Sequence, residues 1–160
     1  MCPNWCDNTV YLKHKDKAQL DRGLKAAKEG ELFNEFVPVP VPLKENGGWY
    51  DWCVDKWGTK WDLSLIDAYI INNEELAVFF ESAWSPPVKW YEKMEELGFE
   101  VTAYYNEFGC CFCGKYENGN DEYYEYNDDD VSHIPAELVG MYDLDNWIEE
   151  CKENEEGRDL

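Results

Sequence analysis

The chain is short of the residues and patterns that most catalytic, membrane and nucleic-acid functions require. Its 160 residues include 2 histidines and 14 lysines and arginines. No stretch approaches the ~18 continuous apolar residues of a membrane span, and no glycine-rich loop resembles those that hold phosphates. The first residues, MCPNWCDN, have neither the basic nor the apolar region of a signal peptide. These absences predict a cytoplasmic protein that does not contact a membrane.

The cysteines lack the spacing of a disulfide framework or a structural zinc site. Their number, seven, is odd, and Cys110, Cys111 and Cys113 are crowded together. Structural zinc needs two spaced pairs of cysteines or histidines, and only Cys2 and Cys6 approach that spacing. We therefore expect reduced thiols that behave as small apolar side chains, with no metal and no cofactor.

Acidic residues, in contrast, are abundant. The chain carries 35 acids and a formal charge of −21, and residues 117–160 contribute 16 acids and 2 bases, a net of −14. A compact domain of this length is about 40 Å across, so its charge per length is comparable to that of DNA, which carries one charge per ~1.7 Å. Such a chain should repel nucleic acid and anionic membranes and attract basic protein surfaces. Simple solubility, or a salt-rich host, remains an equally open explanation.

Hydrophobic periodicity predicts alternating strands and helices. Alternation predicts strands at 8–14, 63–71, 75–84, 99–108, 110–119 and 120–126. Helical spacing predicts one helix after Asp16, a short tryptophan-rich helix, one capped by Ser85 and a last one capped by Asp143. FVPVPVP (36–42) should be extended, because alternating prolines exclude a helix or a central strand.

This order predicts an α+β fold with a ferredoxin-like antiparallel sheet and helices on one face. A tryptophan-rich helical insertion at about 36–62 interrupts the domain of residues 1–126. Residues 127–160 should form an acidic loop and a C-terminal helix that packs on the same domain, following a C-terminal β pair.

Several motifs resemble a known family. PNWCDN, WYDWCVDKWGTKWD, AWSPP and YYNEFG…FCGKYENG occur in this order, and they are similar to the Api-type ferredoxin-like domain proteins of phages and conjugative plasmids, a domain of unknown function. The resemblance covers about residues 2–126. It implies a ferredoxin-like fold and a gene of a mobile element, and it implies no catalytic residues.

The segment WCVDKWGTKWD (52–62) has two interpretations. The first is that its tryptophans form part of the core above the sheet. The second is a small-ligand or nucleotide pocket, in which a few polar groups meet an apolar cleft. Its predicted ligand-binding residues are Trp57, Lys60, Trp61, Trp84 and Glu107, with Lys56 as a further lining residue; Lys60 is the least core-like residue of the segment.

The sequence favours binding over catalysis. Its two histidines lie at the end of the first predicted strand and in an acidic loop, which gives little support to nucleophilic catalysis, and lone carboxylates do not make a glycosidase pair. We expect no direct nucleic-acid binding, because the tyrosines of the last strands have almost no basic neighbours. The leading hypothesis is a non-enzymatic monomer or dimer that binds a basic, nucleic-acid-binding surface of a host or defence protein, as a DNA mimic would. Its predicted partner-binding residues are Asp121, Glu122, Glu125, Asp128, Asp129 and Asp130.

Overall fold

The computed structural model describes residues 4–158 and contains one six-stranded antiparallel sheet. The strands are β1 (Trp5–Lys13), β2 (Ser64–Ile71), β3 (Glu75–Ala83), β4 (Glu100–Glu107), β5 (Phe112–Glu117) and β6 (Asn120–Glu125). Their order across the sheet is β2-β3-β1-β4-β5-β6, so β1 is paired on both sides. The first four strands belong to a β-α-β-β-α-β unit, and β5 and β6 extend its sheet beyond β4. The predicted α+β, ferredoxin-like fold class is confirmed.

Seven helices occur within residues 4–158. They are α1 (Lys17–Lys28), α2 (Leu32–Phe36), α3 (Val41–Asn46), α4 (Trp49–Lys56), α5 (Val88–Glu96), α6 (Ala136–Tyr142) and α7 (Leu144–Arg158). The insertion between β1-α1 and β2 consists of α2, α3 and α4. As predicted, Asp16 caps α1, because its Oδ1 accepts a hydrogen bond of 2.9 Å from the Ala18 N–H.

The first core lies between one face of the sheet and the helices α1, α2 and α5. On β1, Val10 and Leu12 point to this face, and their neighbours across the strands are apolar too. The helices contribute fully buried side chains to the same cluster, among them Leu20, Ala27, Phe33, Trp90 and Met94. We call this side of the sheet the first face.

A second core lies on the opposite face of the sheet, which corrects the prediction that helices cover one face only. Successive strand residues alternate in direction, so Tyr104 and Cys113 point away from the first face. They pack with Leu138 of α6 and with Leu144 and Ile148 of α7. We call this side the second face; Tyr104 and Cys113 are its apolar positions on β4 and β5, and α6 and α7 cover them.

The C-terminal helices also begin differently from the prediction. Asp143 does not cap the last helix with its side chain; it ends α6 in a left-handed conformation, with φ of 51°. Its carbonyl oxygen accepts a 3.1 Å hydrogen bond from the Trp147 N–H, so α7 follows almost without a break. Helix α6 was not predicted, because its seven residues include Gly140 and offer few periodic positions.

Two further local predictions are wrong. Ser85 does not cap α5: Pro87 precedes that helix, and the Ser85 hydroxyl donates a 2.6 Å hydrogen bond to the Gly58 carbonyl. The segment 36–42 is extended only at 37–40, because Phe36 ends α2 and α3 begins at Val41. A proline in the first turn of a helix loses no helical hydrogen bond, which is why Pro42 is tolerated in α3.

The turn between β4 and β5 differs from the prediction as well. Cys110 and Cys111 were predicted to lie within a strand, but they form part of this turn, and Cys111 has a φ of 57°. The Cys111 thiol lies 3.3 Å from the Phe108 carbonyl oxygen. The strand therefore begins only at Phe112.

Replacing Trp147 with alanine should destabilise the protein, because this side chain anchors α7 to the sheet. Its ring lies 5.6 Å from Phe108 and 5.4 Å from Tyr126 between centroids. We expect Trp147→Ala to lower the free energy of unfolding by about 2–3 kcal/mol, below the range for a fully buried aromatic because the indole is partly exposed. Urea denaturation measures this change. The exposed neighbour provides the control, Asn146→Ala, and equal effects of the two substitutions would show that α7 is not anchored through Trp147.

Candidate functional site

The tryptophan-rich segment belongs largely to the core. Trp57 is 3 % exposed, and its Nε1–H donates a 2.9 Å hydrogen bond to the Val37 carbonyl. Its ring lies 5.7 Å from that of Phe33 and 5.9 Å from that of Trp52. Trp49 and Trp52 pack against the same cluster. The first interpretation of the segment, a layer of core above the sheet, therefore holds for these three tryptophans.

A cleft of about 290 Å³ nevertheless opens beside this core. It is lined by three of the predicted ligand-binding residues, Trp57, Lys60 and Trp61, and by Lys44 and Asp62 among others. The cleft thus combines indole surfaces with groups of both charges. Cationic and anionic groups on a small ligand would both find a partner here.

Lys60 and Trp61 already contact each other at the mouth of the cleft. The Lys60 Nζ lies 3.9 Å from the centroid of the Trp61 ring, a cation–π contact. Trp61 is 38 % exposed, and its ring is 6.2 Å from that of Trp5. Thr59 fixes this stretch of chain, because its buried hydroxyl donates a 2.8 Å hydrogen bond to the Ala83 carbonyl.

Asp62 is a residue of the cleft that the sequence analysis did not select. Its carboxylate accepts hydrogen bonds of 3.0, 2.9 and 2.8 Å from the N–H groups of Phe33, Asn34 and Leu63. Burial nevertheless raises the pKa of Asp62 from 3.8 to about 6, although these hydrogen bonds lower it. In the sequence, Asp62 is only a single acid that follows a tryptophan. Its hydrogen bonds to the first residues of α2 exist only in the folded chain, so the sequence alone did not point to it.

The structure does not bring Trp84 and Glu107 to this cleft. Trp84 is 41 % exposed with a φ of 69°, and its N–H donates to the Asn4 carbonyl. Glu107 is 2 % exposed and accepts hydrogen bonds from the N–H groups of Gly109 and Cys110. Glu107 therefore shapes the β4–β5 turn.

The predicted partner-binding residues lie along the outermost strand and the loop after it. Strand β6 pairs only with β5, so its other edge is free of strand partners in residues 4–158. Asp121 and Glu125 point to the first face and Glu122 to the second, as their opposite residues on β5 indicate. Carboxylates thus flank both sides of this edge within about 13 Å of strand.

The loop 126–133 continues this row of carboxylates and is ordered by its own hydrogen bonds. The side-chain oxygen of Asn127 accepts from the N–H groups of Asp129 and Asp130, at 2.9 and 3.0 Å. Asp130 in turn accepts a 2.8 Å hydrogen bond from the Ser132 N–H, which lowers the pKa of Asp130. We refer to Asp121, Glu122, Glu125, Asp128, Asp129 and Asp130 together as the acidic edge.

No lysine or arginine of residues 4–158 lies within salt-bridge distance of the acidic edge. The nearest base along the sheet, Lys115, pairs instead with Glu117 and Glu137 at 3.4 and 3.5 Å. Helix α5 adds negative charge beside the edge, because Glu95 accepts a hydrogen bond from the Gly119 N–H. Burial and the nearby Glu92 raise the pKa of Asp121, whose carboxylate accepts a 2.6 Å hydrogen bond from Tyr105.

The described cysteines are free thiols, and Cys2 lies outside the described residues. Over residues 4–158 no three histidine, cysteine or acidic side chains are grouped so that they could hold a metal ion. In the same range, no helix has both the length and the apolar character needed to cross a membrane.

The sequence was compared with models of known protein families, and one family matches. Residues 56–156 match the family described as the ferredoxin-like domain in Api92-like protein. The chain belongs to this family. The matched range starts at the end of α4 and runs into α7, so it includes the acidic edge and the C-terminal helices, beyond the stretch that the sequence motifs cover. No curated protein and no solved structure matches the chain.

The buried Asp62 should make stability depend on pH in a specific direction. Its pKa is higher in the folded chain than in the unfolded chain, so its stabilising contribution is full below pH 3.8 and is lost as the pH rises through about 6. We expect the unfolding free energy of the native chain, relative to Asp62→Asn, to fall by about 3 kcal/mol from acidic to neutral pH.

Urea denaturation at both pH values tests this expectation, with the exposed Asp51→Asn as control. Asp51→Asn should show no comparable change with pH. The raised pKa would be contradicted if the difference in unfolding free energy between the native chain and Asp62→Asn were constant with pH, or if it changed in favour of the native chain toward neutral pH.

Proposed function

We propose that this protein is a non-enzymatic, cytoplasmic accessory protein of a phage or plasmid that binds a basic surface of a host or defence protein. The observation that carries the proposal is the acidic edge, six carboxylates along one strand and its loop without a basic partner in the described chain. A protein surface that normally binds nucleic acid is the partner whose charge pattern fits such a row best.

Electrostatics supports this partner class. Two acids of α5 add negative charge beside the acidic edge, because Glu95 accepts a hydrogen bond from the Gly119 N–H and the charge of Glu92 acts on Asp121. With −21 net charge, the chain attracts a basic surface over a distance of roughly the Debye length, about 8 Å at physiological salt. Steering of this kind acts mainly on the rate of association. The same field opposes binding to nucleic acid or to an anionic membrane.

The environment of the histidines supports a role without catalysis. The Nδ1 atom of His14 lies 2.9 Å from the Asp16 N–H, and the Nε2 atom of His133 lies 2.6 Å from the Glu125 carbonyl oxygen. Each histidine is thus engaged in a local contact with the backbone, and within residues 4–158 neither forms a hydrogen bond with a serine or cysteine side chain as a general base would. In this proposal the chain acts by occupying its partner, as a monomer or a dimer and without a cofactor.

The proposal predicts that the protein displaces duplex DNA from a basic nucleoid protein. The triple substitution Asp128→Asn, Asp129→Asn and Asp130→Asn should slow association by about threefold to tenfold at low salt, because it removes three charges from the acidic edge. Release of fluorescent duplex in stopped flow measures this rate. The whole chain must be used, because removing α6 and α7 would uncover the second core.

The control carries the same change of net charge elsewhere. Glu29, Glu45 and Glu74 are exposed and make no salt bridge within residues 4–158, so their joint replacement with glutamine should slow association far less. If both triple variants act alike, the partner responds to total charge, and the acidic edge is not the binding surface. If the native chain displaces no DNA at any salt concentration, mimicry of nucleic acid is wrong.

A second candidate function is binding of a small ligand or nucleotide in the tryptophan cleft. The observation that favours it is the convergence of Lys60, Asp62 and three indole rings, those of Trp49, Trp57 and Trp61, on one cleft. Titration with nucleotides should then quench tryptophan fluorescence, and Lys60→Ala should remove the effect. Lys56, which is exposed and paired with Asp55, gives the control Lys56→Ala. Quenching that survives Lys60→Ala, or that Lys56→Ala also removes, would rule out this assignment.

A further inference from the structure

The second face of the sheet is covered on one side only. Helices α6 and α7 pack over β4 and β5, whereas β2, β3 and the adjoining half of β1 carry side chains that remain accessible. A cleft of about 470 Å³ lies there, bordered by Tyr142 of α6. This uncovered surface lies on the opposite side of the C-terminal helices from the acidic edge.

Aromatic rings form the floor of this surface. Phe79 is at its centre, with Tyr69 on β2 stacked against it at 5.8 Å and Tyr11 on β1 edge-on at 6.5 Å. Tyr69 is 45 % exposed, and Ile66, at a bulge in β2, is 63 % exposed. Clusters of exposed rings of this kind mark places where a protein contacts a partner.

Carboxylates surround these rings, and two of them face each other. Asp7 on β1 and Glu81 on β3 are directly opposite in the antiparallel register, and Asp67 is opposite Phe79. Like charges in that position destabilise a sheet. No lysine or arginine of the described chain is within salt-bridge distance of any of the three. Burial raises the pKa of Asp7, and the negative charge of Glu81 raises it further.

One further polar group at this surface has no partner. The hydroxyl of Tyr142, which borders the cleft, is buried; Thr9 is its polar neighbour there, but the two do not reach hydrogen-bond geometry. A buried hydroxyl of this kind costs stability unless something pairs with it. The surface thus combines exposed ring faces, an unneutralised pair of carboxylates and a free hydroxyl.

We propose that this surface binds an arginine side chain of a basic polypeptide. A guanidinium group stacks on aromatic faces and forms paired hydrogen bonds with carboxylates, so it pairs with the rings and with the carboxylates of the surface at once. Phe79 and Tyr69 provide the rings, and Asp7 and Glu81 accept the hydrogen bonds. Lysine is a poorer fit, because its ammonium group is a point charge that cannot bond two carboxylates in one plane. The site is separate from the acidic edge, so it does not depend on the function proposed above.

The test compares a tetra-arginine peptide with a tetra-lysine peptide by NMR titration of the isotope-labelled whole chain. Tetra-arginine should shift the amide signals of β1, β2 and β3 and bind more tightly than tetra-lysine. Glu81→Gln should weaken tetra-arginine binding about tenfold, as loss of a charge-assisted hydrogen bond does. The same substitution should raise the melting temperature, since it removes one of two opposed charges. Tyr69→Ser should weaken binding and leave the fold intact, because Tyr69 is half exposed.

The matched control is Glu100→Gln, which removes one acid of the same sheet face at its far end. It should leave tetra-arginine affinity within about twofold of the native value, because exposed distant charges are screened. The proposal would be overturned if the two peptides bound with equal affinity, or if Glu81→Gln and Glu100→Gln weakened tetra-arginine binding equally. Binding would then reflect only the general attraction between opposite charges. A dimer of the free chain that Tyr69→Ser dissociates would overturn the proposal as well, because this surface would then be an interface between two copies.

Discussion

The structure depends on the alternation of side chains along β1. This strand is hydrogen-bonded to β3 on one side and to β4 on the other, so it has no edge, and each of its residues is committed to one of two faces. Val10 and Leu12 are buried in the first core. Asp7 and Tyr11 point to the second face, where one half of the sheet is covered and the other is not. A shift of register by one residue would exchange these sets and bury the charges.

The C-terminal segment turns that alternation into two different surfaces. By packing on Tyr104 and Cys113, α6 and α7 complete a second core over β4 and β5. Within residues 4–158, the outer edge of the strand beyond them, β6, has no strand partner and is lined with acids. The strands on the other side of the helices keep their rings exposed. Acids on a free edge also prevent edge-to-edge pairing with another sheet, so the same charges that would attract a basic partner keep the chain from aggregating.

The sequence alone predicted the elements that have strong local signals. The strands of the β-α-β-β-α-β unit and the cap of α1 at Asp16 follow from periodicity and residue type, whereas the burial of Trp57 was one of two open interpretations. The predictions failed where tertiary packing decides. Nothing in the sequence around Asp143 distinguishes a residue that ends one helix from one that caps the next, and both roles suit aspartate. The placement of α6 and α7 on the second face follows from which strand residues need cover, and this requires the register of β4 and β5.

Of the two proposed surfaces, the acidic edge could be recognised in the sequence and the aromatic surface could not. The distance between them also limits how a single partner would bind both. The acidic edge is visible as a run of acids after residue 117, but Asp7 and Glu81 are 74 positions apart, and only the pairing of β1 with β3 brings them together. From β3 to β6 the sheet spans four strand spacings, about 19 Å, and α6 and α7 lie between. An extended basic segment covers that distance with about six residues at ~3.3 Å each, and more if it passes over the helices. If both proposals hold, a partner with a single short basic patch would engage one surface or the other, whereas a long basic segment with an arginine near one end would engage both.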